Sequence, residues 1–367
     1  MQKIIFMGIV WKKWSLWIYG EKLIESLNKK TIVVDKRKIY PEMSRLKTVF
    51  IQFIENIIPH RMKILNKWDI ILQSHSSFIF PPIWYLKRSI IVVHDLVLFD
   101  DDYYDWRPIF VKPLKYWNKT IWKWLYKRML YKCLWIVAIS QATKDDIIDK
   151  FWKDLEKKVE VVYNGIDLNI FKPASKKEKP DNLKNQYICY IGSEMDRKNL
   201  KNIIAAFSVV KKEFPNLKLI KAPKDNTWDR EKTLKYIEDN NLKVWKDVIF
   251  IDEYLPIEKL VELYQYSEIF VFPSLKEGFW FPILEAQACG TPVITTDYNP
   301  MRELVTYKEM TVNPLNPKDI AEKIIKILKN PILRESMVKD WLKNSSWFTR
   351  DNTAQNMLNF IEKYNSK

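Results

Sequence analysis

The strongest constraint on this chain is a unit near its C-terminal third. Two short apolar runs, Ile269 to Phe272 and Val293 to Thr296, flank one segment of good helix formers. Pro273 and Ser274 bound the first run, which reads as a buried strand. Pro282 opens the helical segment, and Gly290 followed by Thr291-Pro292 closes it. Strand, loop, helix and strand in that order make a βαβ unit, and such units build parallel sheets covered by helices. Glu277 then falls in the loop after the first strand, and Glu285 in the first turn of the helix. Ligands of open α/β sheets bind beyond the carboxyl ends of the strands. Two carboxylates there can hold the hydroxyls of a sugar or a ribose. The helix dipole alone would account for Glu285, but not for the residues around it.

The same grammar recurs along the chain. Apolar runs at Lys3 to Val10, Thr31 to Val34, Asp69 to Leu72, Ser89 to Val93 and Leu134 to Ile139 predict strands in the first half. Tyr187 to Ile191, Leu217 to Ile220 and Val248 to Ile251 predict strands ahead of the central unit. A chain of 367 residues holds two α/β domains, of about 150 to 180 residues each. The lysine- and proline-bearing segment from Lys172 to Gln186 has little to bury and reads as the linker. Three cysteines in separate contexts give no disulfide or metal spacing and fit a reducing compartment. The sequence shows neither a signal-peptide pattern nor an apolar run of membrane-spanning length. The expected location is cytoplasmic, with peripheral attachment to a membrane as an extension.

A net charge of +16 suits an anionic partner. Part of it lies between Lys112 and Lys132, which carries seven basic and no acidic residues among many aromatics. At helical spacing Leu114, Trp117, Ile121, Trp124, Leu125 and Met129 share one face, and Lys115, Lys119, Lys123 and Lys127 another. Such a helix can pack on a sheet, and its basic face with interfacial Trp and Tyr also suits an anionic membrane. No nucleic-acid recognition module accompanies the charge. Near the N-terminus, Trp11, Trp14 and Trp17 offer either core packing or an aromatic platform for an acceptor. The acidic stretch Asp100 to Asp105 lacks the glycine and terminal Glu of a calcium loop, and the three histidines are too scattered for a zinc site.

The whole string from Glu277 to Asp297 resembles the E-x7-E signature of retaining glycosyltransferases of family 4, whose GT-B fold has two Rossmann-like α/β domains facing across a cleft. Supporting motifs occur in the expected order. Ser89 to Leu96, ending in His94-Asp95-Leu96, resembles the mannosyltransferase-like subgroup, in which this His lies near the donor sugar. Ser140 to Ile147 resembles a family segment of the form V-S-x-x-[ST]-x-x-D, and Glu160 to Asp167 resembles the motif that closes the first domain. Gly192 to Leu200 resembles the turn whose basic pair neutralises the leaving nucleotide. Lys198 matches the family lysine, and Arg197 stands in for an arginine whose place is taken by Ser193.

The resemblance implies a hexose transferred from a nucleoside diphosphate sugar to a glycan, lipid-linked or other hydroxyl acceptor. GDP-mannose is the favoured donor and a UDP-sugar the alternative, with no metal and no cofactor. It implies catalytic roles for Arg197, Lys198, Glu277 and His94, and donor contacts from Glu285, Gly278, Phe279, Ser193, Arg197 and Lys198. The expected domains are 1–172, a linker at 173–186, a nucleotide-sugar domain at 187–342, and a helix at 343–367 returning to the first domain. Trp280 departs from the pattern, because the family places glycine there. Two alternatives remain: a sugar- or membrane-binding module of the same fold without turnover, and a nucleotide-sugar epimerase.

Overall fold

Among the described residues, twelve short strands, six in each half of the chain, assemble into two parallel sheets in the computed structural model. It describes residues 4–7, 34–37, 70–73, 83–96, 99, 112–175, 179–180, 183–222, 230–253, 255–298 and 300–365. The chain divides into two units, Met1–Asn164 with Arg350–Lys367, and Gly165–Thr349. The chain therefore passes from one unit to the other at 164/165 and 349/350, and residues 173–186 group with the second unit.

The first unit carries β1 (Ile4–Met7), β2 (Val34–Arg37), β3 (Ile70–Gln73), β4 (Ser89–Val93), α1 (Lys112–Lys132), β5 (Trp135–Ala138), α2 (Gln141–Lys150) and β6 (Val159–Val161). Its sheet order is β2-β1-β3-β4-β5-β6, and every strand pair is parallel. All five residues of β4 are buried, as expected of a strand covered on both faces. Ser140 caps α2 as its sequence suggests, accepting a hydrogen bond from the Thr143 amide at 3.0 Å.

The second described strand is Val34–Arg37, which shares Val34 with the expected run, while residues 31–33 lie outside the described residues. It lies at the edge of the described sheet. The core-facing stripe of α1 needs correction. Tyr126, Met129 and Leu130 are buried, in a cluster with Cys133, Phe99, Phe151 and Leu155. The Tyr126 ring stacks on Phe151 at 5.4 Å and meets Phe99 at 5.0 Å. Ile121 and Trp124 are left 48% and 56% exposed. A stripe drawn through the tryptophans omits Tyr126, whose phenol ring is apolar enough to anchor the core.

The second unit carries β7 (Tyr187–Ile191), α3 (Leu200–Glu213), β8 (Lys218–Ala222), α4 (Arg230–Asp239), β9 (Val248–Phe250), α5 (Ile257–Gln265), β10 (Ile269–Phe272), α6 (Phe281–Ala288), β11 (Val293–Thr296), β12 (Thr311–Val312), α7 (Pro317–Lys329) and α8 (Pro331–Ser345). The sheet order is β12-β11-β10-β7-β8-β9, again parallel throughout. The chain builds outward from β7 in one direction and then returns to continue from β10 in the other. That reversal opens a crevice beyond the C-terminal ends of β7 and β10. α9 (Arg350–Asn365) belongs to the first unit, where Phe360 meets Trp135 edge-on at 6.2 Å and Thr353 donates to the Tyr163 carbonyl.

Candidate active site

Two loops emerge at the reversal point of the second sheet, residues 192–199 after β7 and 273–280 after β10. The first is held tightly at its root. A Cβ on Gly192 would lie 2.9 Å from the Tyr190 hydroxyl and 3.3 Å from the Phe272 ring, so glycine alone fits between these side chains. The Tyr190 hydroxyl donates to the Ser193 carbonyl. Asp196–Lys198 then form one 3-10 turn, and Asn199 takes a left-handed conformation (φ 63°) before α3 begins. Asn is among the residues that adopt this conformation most readily. Its side-chain amide donates to the Pro273 carbonyl at 2.8 Å and the Pro314 carbonyl at 2.7 Å, tying the loops together.

Arg197, Lys198 and Glu277 converge between these loops. Oε1 of Glu277 lies 2.7 Å from Lys198 Nζ and 3.1 Å from Arg197 Nη1, and accepts from Ser274 Oγ at 2.7 Å. Arg197 also donates to the Lys276 carbonyl, and its own carbonyl accepts from the Leu275 amide and Ser274 Oγ. Lys198 and Glu277 are almost wholly buried, whereas Arg197 keeps some exposure. Burying charges this deeply is tolerable only because they face one another.

The cluster is nevertheless incomplete. Ser193 Oγ, Arg197 Nε and Trp280 Nε1 are buried and have no hydrogen-bond partner among the described residues. Buried donors without acceptors are rare and costly, and all three lie on the two loops that carry this cluster.

Glu285 is the fifth residue of α6, one residue further on than its sequence suggests, because the helix starts at Phe281 with Pro282 as its second residue. Its carboxylate accepts from the Tyr264 hydroxyl at 3.0 Å. Burial, reinforced by the Glu285 charge, holds the Tyr264 phenol well above its ordinary pKa, so it remains a donor. Gly278 and Phe279 follow Glu277 directly, with Phe279 buried edge-on against Phe281. Seven of the eight candidate residues thus lie on the loops and helix of one unit. His94 belongs to the other unit, buried at the end of β4, where its carbonyl accepts from Thr143 Oγ1 at 3.5 Å. His60, His75, the acidic stretch at 100–105 and the tryptophans at 11, 14 and 17 lie outside the described residues.

Sequence reasoning missed Ser274, Tyr264 and Asn199, which orient the charged groups. Ser274 and Asn199 stood beside the motifs in plain view; Tyr264 carries no local signal. It also missed a second ionic cluster on the same sheet edge. Glu194 Oε1 meets Lys221 Nζ at 3.1 Å and Arg230 Nη2 at 2.8 Å, and Arg230 reaches Asp252 at 2.7 Å while lying over the Phe250 ring. Burial opposes ionisation of Glu194, but hydrogen bonds from Arg230 and the Lys221 charge outweigh it and hold the carboxyl below its ordinary value of 4.5. Among the described residues no group of three His, Cys, Asp or Glu is placed to hold a metal ion.

Comparison with known proteins fits this geometry. A family model described as glycosyl transferases group 1 matches residues 171–342, and one described as glycosyltransferase family 4 matches residues 25–170. The chain is 28% identical over 275 residues to the O-antigen chain mannosyltransferase RfbU of Salmonella typhimurium, covering 71% of this chain and 70% of that protein. It is 27% identical over 173 residues to the O-antigen chain mannosyltransferase B of Escherichia coli, covering 47% of this chain and 45% of that relative. In fold it resembles sucrose-phosphate synthase from Thermosynechococcus elongatus (TM-score 0.77, 18% identity, all of both chains). It also resembles HepE of Anabaena solved with UDP and glucose (TM-score 0.71, 14% identity, 99% of this chain and 100% of that one).

Proposed function

We propose, from the premise that this chain belongs to the GT-B glycosyltransferases described by its two family models, that it moves a hexose from a nucleoside diphosphate sugar to a hydroxyl acceptor with retention of anomeric configuration. The observation that carries this reading is the Arg197–Lys198–Glu277 cluster with its three unsatisfied donors at the sheet's reversal point. Mannose is the favoured hexose, supported by the His94-Asp95-Leu96 resemblance and by two relatives named as mannosyltransferases.

In this mechanism Glu285, steadied by Tyr264, accepts hydrogen bonds from the ribose hydroxyls. Arg197, Lys198 and Ser193 face the diphosphate, and Glu277 with the Gly278–Phe279 backbone faces the sugar. As the bond from sugar C1 to phosphate oxygen breaks, its electron pair leaves with the nucleoside diphosphate. The basic pair stabilises the charge that grows there, where fixed electrostatics contribute most. The acceptor oxygen bonds to C1 on the face the phosphate left, and its proton passes to the departing phosphate oxygen. His94 orients the sugar. Calorimetric titration with GDP-mannose, UDP-glucose and related donors, with and without EDTA, tests this reading. One donor should bind regardless of chelator and lose its affinity in Glu285→Ala; silence across the panel would refute it.

The same reading extends to a membrane-borne acceptor. Ile121, Trp124, Tyr131 and Trp152 are exposed, with Lys127 Nζ 3.2 Å from the Trp152 ring centroid and Arg128 beside Trp124. Exposed aromatics interleaved with cations match an anionic bilayer surface. No helix among the described residues is long and apolar enough to cross a membrane. Phosphatidylglycerol vesicles should sediment the protein and phosphatidylcholine vesicles should not. Trp124→Ser with Trp152→Ser should release it, and equal retention on both lipids would refute the contact.

A further inference from the structure

Trp280 stands where the signature has glycine, yet its backbone does not need one. At φ −132° and ψ 98° it is ordinary extended chain just before α6. What distinguishes the position is its side chain. The indole stacks on Phe272 with centroids 4.5 Å apart and planes 8° from parallel, and Phe272 stacks in turn on Tyr190 at 5.9 Å and Phe270 at 6.0 Å. Lys198 Nζ lies 3.2 Å from the centroid of the Trp280 ring while also meeting Glu277 at 2.7 Å. The ammonium is therefore held between a carboxylate and an aromatic face, a favourable site for a desolvated cation.

Stacking and cation–π attraction would both be served by phenylalanine. An indole adds one group, the Nε1–H, which is buried without a partner among the described residues. A buried indole N–H normally finds an acceptor, and leaving one unpaired carries a desolvation cost. An unpaired N–H on the ring that faces the Lys198 ammonium can be satisfied by an oxygen of a diphosphate.

We propose that Trp280 is a donor-binding residue: its ring seats the Lys198 ammonium, and its indole N–H donates to a β-phosphate oxygen of the bound nucleoside diphosphate sugar. The inference rests on the donor-binding reading above and adds to it a contact that a glycine at this position could not make.

The test is calorimetric titration of GDP, UDP and the matching monophosphates into the unaltered protein, Trp280→Phe and Trp280→Gly, each first checked for cooperative thermal unfolding. Trp280→Phe keeps the ring and loses only the N–H, so it should weaken the diphosphate about tenfold and leave the monophosphate unchanged. Trp280→Gly should weaken the diphosphate further, because Lys198 loses its aromatic seat. Diphosphate affinity unchanged in Trp280→Phe would overturn the proposal. So would an equal loss for mono- and diphosphate, which would mean that the indole only shapes the pocket. If Trp280→Gly fails to fold, Trp280→Phe alone decides. If the unaltered protein binds neither diphosphate, the donor-binding reading itself falls, and this inference with it.

Discussion

Two ionic clusters sit on one edge of the second sheet, and they differ in a way that separates binding from scaffolding. Around Glu194, the charges of Lys221, Arg230 and Asp252 close on one another, and none of their buried atoms lacks a partner among the described residues. Around Glu277, Arg197 and Lys198 share one carboxylate oxygen while neighbouring donors stay unsatisfied. The first cluster is complete without a ligand. The second leaves three buried donors on its loops without a partner among the described residues. Charge and burial alone would rank the two alike; hydrogen-bond accounting tells them apart.

The comparison breaks most decisively at the incomplete cluster. Replacing both Arg197 and Lys198 by Ala should lower turnover on the order of a thousandfold, measured as nucleoside diphosphate released, while thermal unfolding stays cooperative. Retained turnover would move the chemistry elsewhere. The complete cluster should answer in the opposite currency. Glu194→Ala leaves Lys221 fully buried beside a missing carboxylate and should cost about 3 to 5 kcal/mol in urea denaturation, with turnover per folded molecule largely kept.

Acid sharpens the contrast further. The folded Glu194 carboxyl holds its proton less readily than its ordinary 4.5. Its contribution to stability is therefore present above that pH and is lost as pH falls through the lower folded value. Glu194→Gln should flatten the fall in stability below about pH 4.5. Some slope should remain from Asp247, where burial is outweighed by Lys211 and the carboxyl is again held low. The smallest expected effect is at Cys189, on β7 beneath both clusters, whose thiol burial pushes up to about 12. It should resist alkylation at pH 8 with or without nucleotide and react only on unfolding; rapid labelling would show that the sheet opens.

Much of the fold was legible because parallel strands buried on both faces must be short, apolar and punctuated. β4, β7, β10 and β11 begin and end where their apolar runs do. The reading failed along α1, whose buried stripe passes through Tyr126 rather than Trp124. At the candidate site, motif spacing pointed to Glu277, Arg197 and Lys198, but a linear pattern carries no sign of who pairs with whom. That Glu277 binds both cations, and that Tyr264 holds Glu285, are facts of three-dimensional proximity across 80 and 21 residues of sequence. The second cluster was invisible for the same reason, since Glu194, Lys221, Arg230 and Asp252 come from four separate segments.

The measurement that bears most directly on the central claim is the affinity gap between a nucleoside diphosphate and its monophosphate, in the unaltered protein and in the Arg197→Ala, Lys198→Ala variant. If the unsatisfied cluster seats the diphosphate, the unaltered protein should favour the diphosphate by on the order of a hundredfold, and the gap should collapse in the variant. A gap that survives the loss of both cations would contradict the account.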